Sequence, residues 1–111
     1  MFVKSEKNKK TFFMWLNPAR IHVFNREQKK HHEQVRQFTS YDDNHGAGML
    51  QHDEDIGRLL AKLEELGFLN NTIIVYTTDN GPEHNTYPEG GTTPFRGEKM
   101  TTWEGASGCQ C

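Results

Sequence analysis

Three short segments of the 111-residue chain carry side chains that could act on an anion. Asp79 and Asn80 place a carboxylate beside a carboxamide, and their hard oxygen atoms suit Ca²⁺ or Mg²⁺ better than zinc. Lys99 closes a loop that contains Gly97, where an ammonium group can hold an oxyanion as a point charge. His22 could supply a ring nitrogen. These residue types favour a loop that binds an oxyanion or a metal ion.

Each of these segments also has a plainer interpretation. The run Asp79-Asn80-Gly81 is ordinary turn chemistry, and two ligands are few beside the six to eight oxygens that Ca²⁺ commonly takes. Lys99 could be a solvated surface lysine, and a lone histidine such as His22 is more often structural than catalytic. The residue types alone therefore leave the site open.

Two apolar segments predict the strands that would position these residues. Residues 11–16 form a short continuous apolar run, and residues 72–77 are rich in β-branched side chains. Both patterns are typical of buried strands in a parallel sheet. His22 follows the first segment, and Asp79 follows the carboxyl end of the second, which is where ligand sites collect in open α/β sheets.

Helical periodicity is strongest between the two strands. Apolar residues from Met49 to Leu66 recur at steps of three and four, which predicts an amphipathic helix with Gly67 as its C-terminal cap. Residues 28–37 predict a charged surface helix with His31 and His32 on its solvated face. Residues 42–48 resemble a turn, and the loop-rich stretch 79–99 is typical of a functional loop or of an element that has lost its packing partners. Helix, turn and strand in this order predict an α/β fold with a parallel sheet.

Composition excludes several classes of protein. Thirteen basic and fifteen acidic residues give a net charge of -2, which argues against a nucleic-acid binder. No stretch reaches the roughly 18–20 apolar residues of a membrane helix. Residues 12–16 are too short for a signal-peptide core, so the compartment stays open. Cys109 and Cys111 lie too close together to staple a fold. His45 and His52 could share one side of a helix, but a metal site there is the less favoured interpretation.

The ordered motifs resemble those of a known family. Thr77-Thr78-Asp79-Asn80-Gly81, residues 90–99 and Trp103-Glu104-Gly105 are similar to segments of the arylsulfatases, the formylglycine-dependent sulfatases of the alkaline-phosphatase-like superfamily. Residues 17–24 and 49–57 resemble further segments in the same order. The resemblance covers residues 11–105, and the ordered set is more specific than any one of its members.

This resemblance implies a fold, an activity and roles for single residues. It implies a partial sulfatase catalytic domain over residues 1–105 and hydrolysis of small-molecule or glycan sulfate esters. Asp79 and Asn80 match two Ca²⁺ ligands of the family. Lys99 matches the lysine that contacts the sulfate ester, and His22 matches a histidine that hydrogen-bonds the sulfate or its leaving oxygen.

The chain departs from the family pattern at both ends. The Cys/Ser-x-Pro-x-Arg motif that becomes formylglycine does not occur, nor do the early Asp-Asp metal pair and the early Lys/His pair. We expect these to lie upstream of Met1, and we expect the chain alone to be inactive. One choice of codons for residues 106–111 encodes Phe-Arg-Val-Pro-Val in a shifted frame, which resembles the family continuation. We therefore interpret 106–111 as a frameshifted tail.

Two other functions stay open at this point. The loop between Asp79 and Lys99 could be a non-catalytic remnant that binds a metal ion or sulfate weakly. The lysine-rich residues 4–10 and the basic residues between Arg26 and Arg36 could instead serve a basic interaction protein, although the net charge of -2 argues against it.

Overall fold

The computed structural model describes residues 11–23, 26–91 and 93–107. The α-helices in these ranges are α1 (Lys29–Val35), α2 (Asn44–Glu65) and α3 (Glu104–Ser107), and a 3₁₀ turn spans Leu69–Asn71. None of the described helices combines the length and the hydropathy needed to traverse a lipid bilayer. The lysine-rich residues 4–10 lie outside the described ranges.

Both ends of α2 are set by local capping. The Asp43 carboxylate accepts a hydrogen bond from the Gly46 amide at 2.6 Å, which satisfies one of the free amides of the first turn. This cap starts the helix at Asn44 rather than at Met49, so the predicted turn over 42–48 is wrong from residue 44 onward. The apolar periodicity could not locate this start because the first turn carries no large apolar side chain.

The predicted cap at Gly67 is confirmed. Its backbone is left-handed, with φ of 73°, and its amide donates to the Glu64 carbonyl at 2.8 Å. The next amide, of Phe68, reaches back to the Leu63 carbonyl at 2.9 Å. This pair of bonds is a Schellman motif, which ends the helix and turns the chain back.

Helix α1 packs against α2 through a mixed polar and apolar contact. Val35 is buried, and so is His31, whose side chain is 2% exposed. The His31 Nε2 lies 2.8 Å from a Glu54 carboxylate oxygen, and Lys30 Nζ donates to the same carboxylate at 2.7 Å. The prediction that His31 and His32 lie on a solvated face is therefore wrong, because His31 faces α2. His32 is half-buried and lies near the carboxylates of Glu27 and Asp42.

The predicted parallel sheet is not confirmed. Within the ranges that the structure describes there is no strand, and neither residues 11–16 nor residues 72–77 form one. Ile73 and Val75 are 93% and 79% exposed. A strand needs a neighbouring backbone to take its hydrogen bonds, and β-propensity alone cannot supply one. The helix and the loop of the predicted α/β arrangement are present without the sheet.

The apolar side chains of α2 are only partly covered. Leu63 is buried, whereas Met49 and Leu50 are 44% and 39% exposed. These two side chains line an open groove of about 400 Å³ that Phe38, at the end of α1, also borders. At the other end of α2, Phe12 packs edge-on against Phe68 with ring centroids 5.6 Å apart, which holds the first apolar segment near the helix end.

Replacing Gly67 with alanine should lower the free energy of unfolding by about 1 kcal/mol, because a Cβ is strained at positive φ. Gly57 is the matched control. It lies inside α2, and a Cβ there would meet nothing within 4 Å, so Gly57→Ala should raise stability by about 0.5–1 kcal/mol. Urea unfolding followed by far-UV circular dichroism measures both. Equal changes in the free energy of unfolding at the two positions would contradict the role of Gly67 as the C-terminal cap of α2.

The Glu54 contacts predict an acid dependence of stability. Hydrogen bonds from Lys30 and then His31 lower the pKa of Glu54 from 4.5 to about 2. Stability from this pairing is therefore complete above pH 4.5 and is lost as the pH falls toward about 2. Glu54→Gln should flatten the unfolding free energy against pH in that window, whereas Glu64→Gln, an exposed site on the same helix, should not. Parallel curves for both variants would refute the prediction.

Candidate functional site

Two of the predicted site residues meet, although 77 positions separate them in sequence. Lys99 Nζ lies 3.4 Å from His22 Nε2. Each has a neighbour with left-handed backbone: φ is 56° at Ile21 and 71° at Met100. These are the only non-glycine residues with positive φ in the described part of the chain. Such a conformation is costly for a β-branched residue such as Ile21, and strain of this kind tends to concentrate at functional sites.

A charged side chain also lies beside the Lys99 ammonium. The Glu83 carboxylate is 3.4 Å from Lys99 Nζ, and both side chains are about three-quarters buried. The Lys99 amide also donates to the Pro82 carbonyl at 2.8 Å. The ammonium group is thus placed by its own backbone and by a carboxylate, and it retains a face toward the exposed His22.

The main chain of His22 is held from the loop. The hydroxyl of the buried Tyr87 donates to the His22 carbonyl at 2.6 Å. The Tyr87 ring packs edge-on against His45, with ring centroids 6.0 Å apart. His45 is therefore a packing partner and His52 lies elsewhere, with its Nε2 2.9 Å from the Tyr76 hydroxyl. The two histidines do not share a metal site.

The segment that leads to His22 is fastened to α2. Arg20 Nε donates to Asp55 Oδ2 at 3.1 Å, and Arg58 contacts the other oxygen of the same carboxylate. Burial raises the pKa of Asp55, but the hydrogen bonds from Arg20 and Arg58 outweigh it and leave the pKa below its usual value. The charged pair fixes where this segment crosses the helix.

The loop before Lys99 is closed by Glu98 and His84. Glu98 accepts hydrogen bonds from the amide and from Nδ1 of His84, both at 3.0 Å. The hydrogen bond from the His84 amide, and then the one from the His84 ring, lower the pKa of Glu98, although burial opposes them. On the far side, the Arg96 guanidinium lies 3.9 Å from the centre of the Trp103 ring. The loop is thus a bonded structure rather than a free coil.

Asp79 and Asn80 are placed near this loop by backbone bonds. The Gly81 amide donates to the Ala106 carbonyl, and the Gly105 amide donates to the Arg96 carbonyl, both at 2.8 Å. The Asp79 side chain is exposed, and Asn80 donates to the Gly81 carbonyl at 2.8 Å. In the described ranges neither forms a hydrogen bond or ion pair with His22 or Lys99.

The oxygen donors of Asp79 and Asn80 meet only part of what a calcium site requires. The Asp79 carboxylate and the Asn80 amide oxygen fit Ca²⁺ in chemical type. They do not fit it in number: among residues 11–23, 26–91 and 93–107, no group of three or more His, Cys, Asp or Glu side chains could hold a metal ion. This part of the chain contributes at most a share of such a site.

Sequence reasoning missed the supporting residues Glu83, Tyr87 and Glu98. They lie in a loop, where no periodicity indicates which side chains face one another. The one available signal was the turn-rich composition of 79–99, which marked the segment as functional without naming residues.

Comparison with known proteins now decides the family. The family model described as Sulfatase matches residues 1–107. The chain belongs to the sulfatase family. The resemblance drawn from the ordered motifs is confirmed by this match.

Among curated sulfatases, the chain is 32% identical to mouse arylsulfatase J over 97 residues, or 86% of the chain. It is 34% identical to human arylsulfatase A over 68% of the chain, and 39% identical to mouse N-acetylgalactosamine-6-sulfatase over 63%. The aligned parts cover 16%, 16% and 14% of these relatives, so the chain spans about a sixth of their length. No solved structure matches significantly. The interpretation of 106–111 as a frameshifted tail stays a prediction, and residues 108–111 lie outside the described ranges.

Proposed function

We propose that this sulfatase chain contributes part of a sulfate-ester site, with Lys99 and His22 as its substrate-binding and catalytic residues. The observation that carries the proposal is the 3.4 Å approach of Lys99 Nζ to His22 Nε2, in a chain of the sulfatase family. The substrate class is a small-molecule or glycan sulfate ester, and the reaction in the whole protein is hydrolysis of a sulfuric ester.

The chemistry of the pair suits this substrate. A sulfate monoester carries one negative charge spread over its oxygens, and the Lys99 ammonium would stabilise that charge as it develops during reaction. His22, beside it, would donate a hydrogen bond to the sulfate or a proton to the leaving alcohol oxygen. The Lys99 ammonium and the His22 ring must act on the same sulfate group, and two nitrogen atoms 3.4 Å apart can do so.

Asp79 and Asn80 would be the Ca²⁺ ligands that this chain contributes. When bound, the cation would add positive charge beside the sulfate oxygens. The number of donors in the described ranges requires further ligands from elsewhere in the protein.

A second candidate function is binding without turnover. The observation that favours it is the absence of a Cys/Ser-x-Pro-x-Arg motif from the 111 residues, because without that motif the chain has no formylglycine nucleophile. The pair could still hold a sulfate group, and Asp79 with Asn80 could bind a cation weakly.

Lys99→Met should weaken binding of inorganic sulfate about tenfold, because it removes a half-buried positive charge from the anion. The measurement is a sulfate titration of the 111-residue chain, followed by the nuclear magnetic resonance signals of the His22 ring. Lys62→Met is the control, since Lys62 pairs with Glu65 on α2. Equal affinities for the two variants would exclude Lys99 from the site.

The 111-residue chain should not hydrolyse an aryl sulfate above the rate of buffer alone, because it carries no nucleophile for the sulfur atom. Release of the phenol from a chromogenic aryl sulfate measures this, with and without added Ca²⁺. The control is His22→Ala, which should give the same background. Hydrolysis that the control abolishes would establish that the chain is itself an enzyme.

A further inference from the structure

One hydrogen-bonded turn contacts both members of the Lys99–His22 pair. The Glu83 carbonyl accepts from the amides of Thr86 and Tyr87, at 3.2 Å and 3.0 Å. These bonds close residues 83–87 into a single turn, here named the 83–87 turn. The side chain at its first position reaches Lys99 and the side chain at its last position reaches the backbone of His22.

The Tyr87 end of the turn is rigidly seated. Tyr87 is 8% exposed, and its hydroxyl donates to the His22 carbonyl across 65 positions of sequence at 2.6 Å. Its ring lies against His45 in the first turn of α2. The hydroxyl thus ties His22, which follows the strained Ile21, to the scaffold helix.

The Glu83 end of the turn contacts Lys99. The Glu83 carboxylate lies 3.4 Å from Lys99 Nζ, and the adjacent Pro82 carbonyl accepts from the Lys99 amide. A lysine side chain is long, flexible and strongly hydrated, so an exposed imidazole alone would not hold it in one place. The Glu83 carboxylate, which lies as close to Nζ as His22 Nε2 does, restricts the ammonium to the region beside both groups.

We propose that the 83–87 turn positions the pair, with Tyr87 and Glu83 as positioning residues that touch neither the substrate nor the reacting atoms. Tyr87 fixes the His22 backbone and Glu83 fixes the Lys99 ammonium, so one local turn sets the spacing of two groups from distant parts of the chain. The importance of this spacing for sulfate rests on the function proposed above, whereas the spacing itself can be measured without sulfate.

The Glu83 carboxylate has a second consequence. A bound sulfate group must share the Lys99 ammonium with it, so removal of Glu83 loosens Lys99 and also removes a repulsive charge. These two effects on sulfate affinity have opposite signs. The test therefore measures the proximity of His22 and Lys99 rather than affinity.

The experiment uses the whole 111-residue chain and reads the His22 ring signals by nuclear magnetic resonance. Lys99→Met should shift these signals, because it removes a charge 3.4 Å from Nε2. In a Tyr87→Phe background the shift should fall to about half or less, since the field of an ammonium decreases with distance. In the control background Tyr76→Phe, which loses a hydroxyl bonded to His52 instead, the shift should persist. The same shift in all three backgrounds would overturn the proposal.

A second pair of variants covers the case in which Tyr87→Phe loses its helical circular dichroism signal. Glu83→Gln keeps the side-chain shape and removes the charge that restrains Lys99, so it should also reduce the shift. The Glu89 carboxylate lies 3.5 Å from the His45 amide rather than near Lys99. Glu89→Gln should therefore leave the shift unchanged. Equal shifts for Glu83→Gln and Glu89→Gln would overturn the role of the turn.

Adding inorganic sulfate to the unmodified chain separates this inference from the proposed function. If the His22 signals ignore sulfate but still respond to Lys99→Met in a Tyr87-dependent way, the positioning role stands and the sulfate site is rejected. If they respond to sulfate but not to Lys99→Met, the positioning role is rejected on its own.

Discussion

The polar side chains of α2 hold the described parts of this protein together. Glu54 binds Lys30 and His31 of α1, and its neighbour Asp55 binds Arg20 of the segment that leads to His22. Two histidines of the same helix contact later segments: His45 packs against Tyr87, and His52 lies beside the Tyr76 hydroxyl. These contacts join the segments to one another, as the sheet does in a layered α/β fold.

The lack of a sheet in the described residues leaves apolar side chains exposed. Ile73 and Val75 have the composition of a central strand, yet they remain largely exposed because the described residues offer no backbone with which they could pair. Apolar area left in water forgoes the roughly 25 cal/mol per Å² that its burial would contribute to stability. Polar contacts on α2 replace little of this missing contribution, since solvent screens ion pairs at partly exposed sites.

The candidate site shows how charges can order a loop that lacks regular structure. Lys99 lies between a carboxylate and an imidazole, and Glu98 closes the loop through two bonds to His84. Backbone bonds from Gly81 and Gly105 attach Asp79 and Asn80 to the same loop system. The arrangement brings one half-buried cation and the exposed His22 ring to a common region.

Local sequence was sufficient wherever the controlling interaction is local. The apolar period and Gly67 predicted the body and the end of α2, because helix bonds and the Schellman cap involve residues a few positions apart. The ordered motifs likewise indicated the family and the residues His22 and Lys99. Only the tertiary structure decided that these two meet, that His31 is buried, and that Glu83 and Tyr87 contact Lys99 and His22. Each of those outcomes rests on contacts between segments distant in sequence or within an aperiodic loop, where no spacing rule applies. The sheet was the opposite case: strand composition was present locally, but a strand forms only where a second backbone accepts its hydrogen bonds.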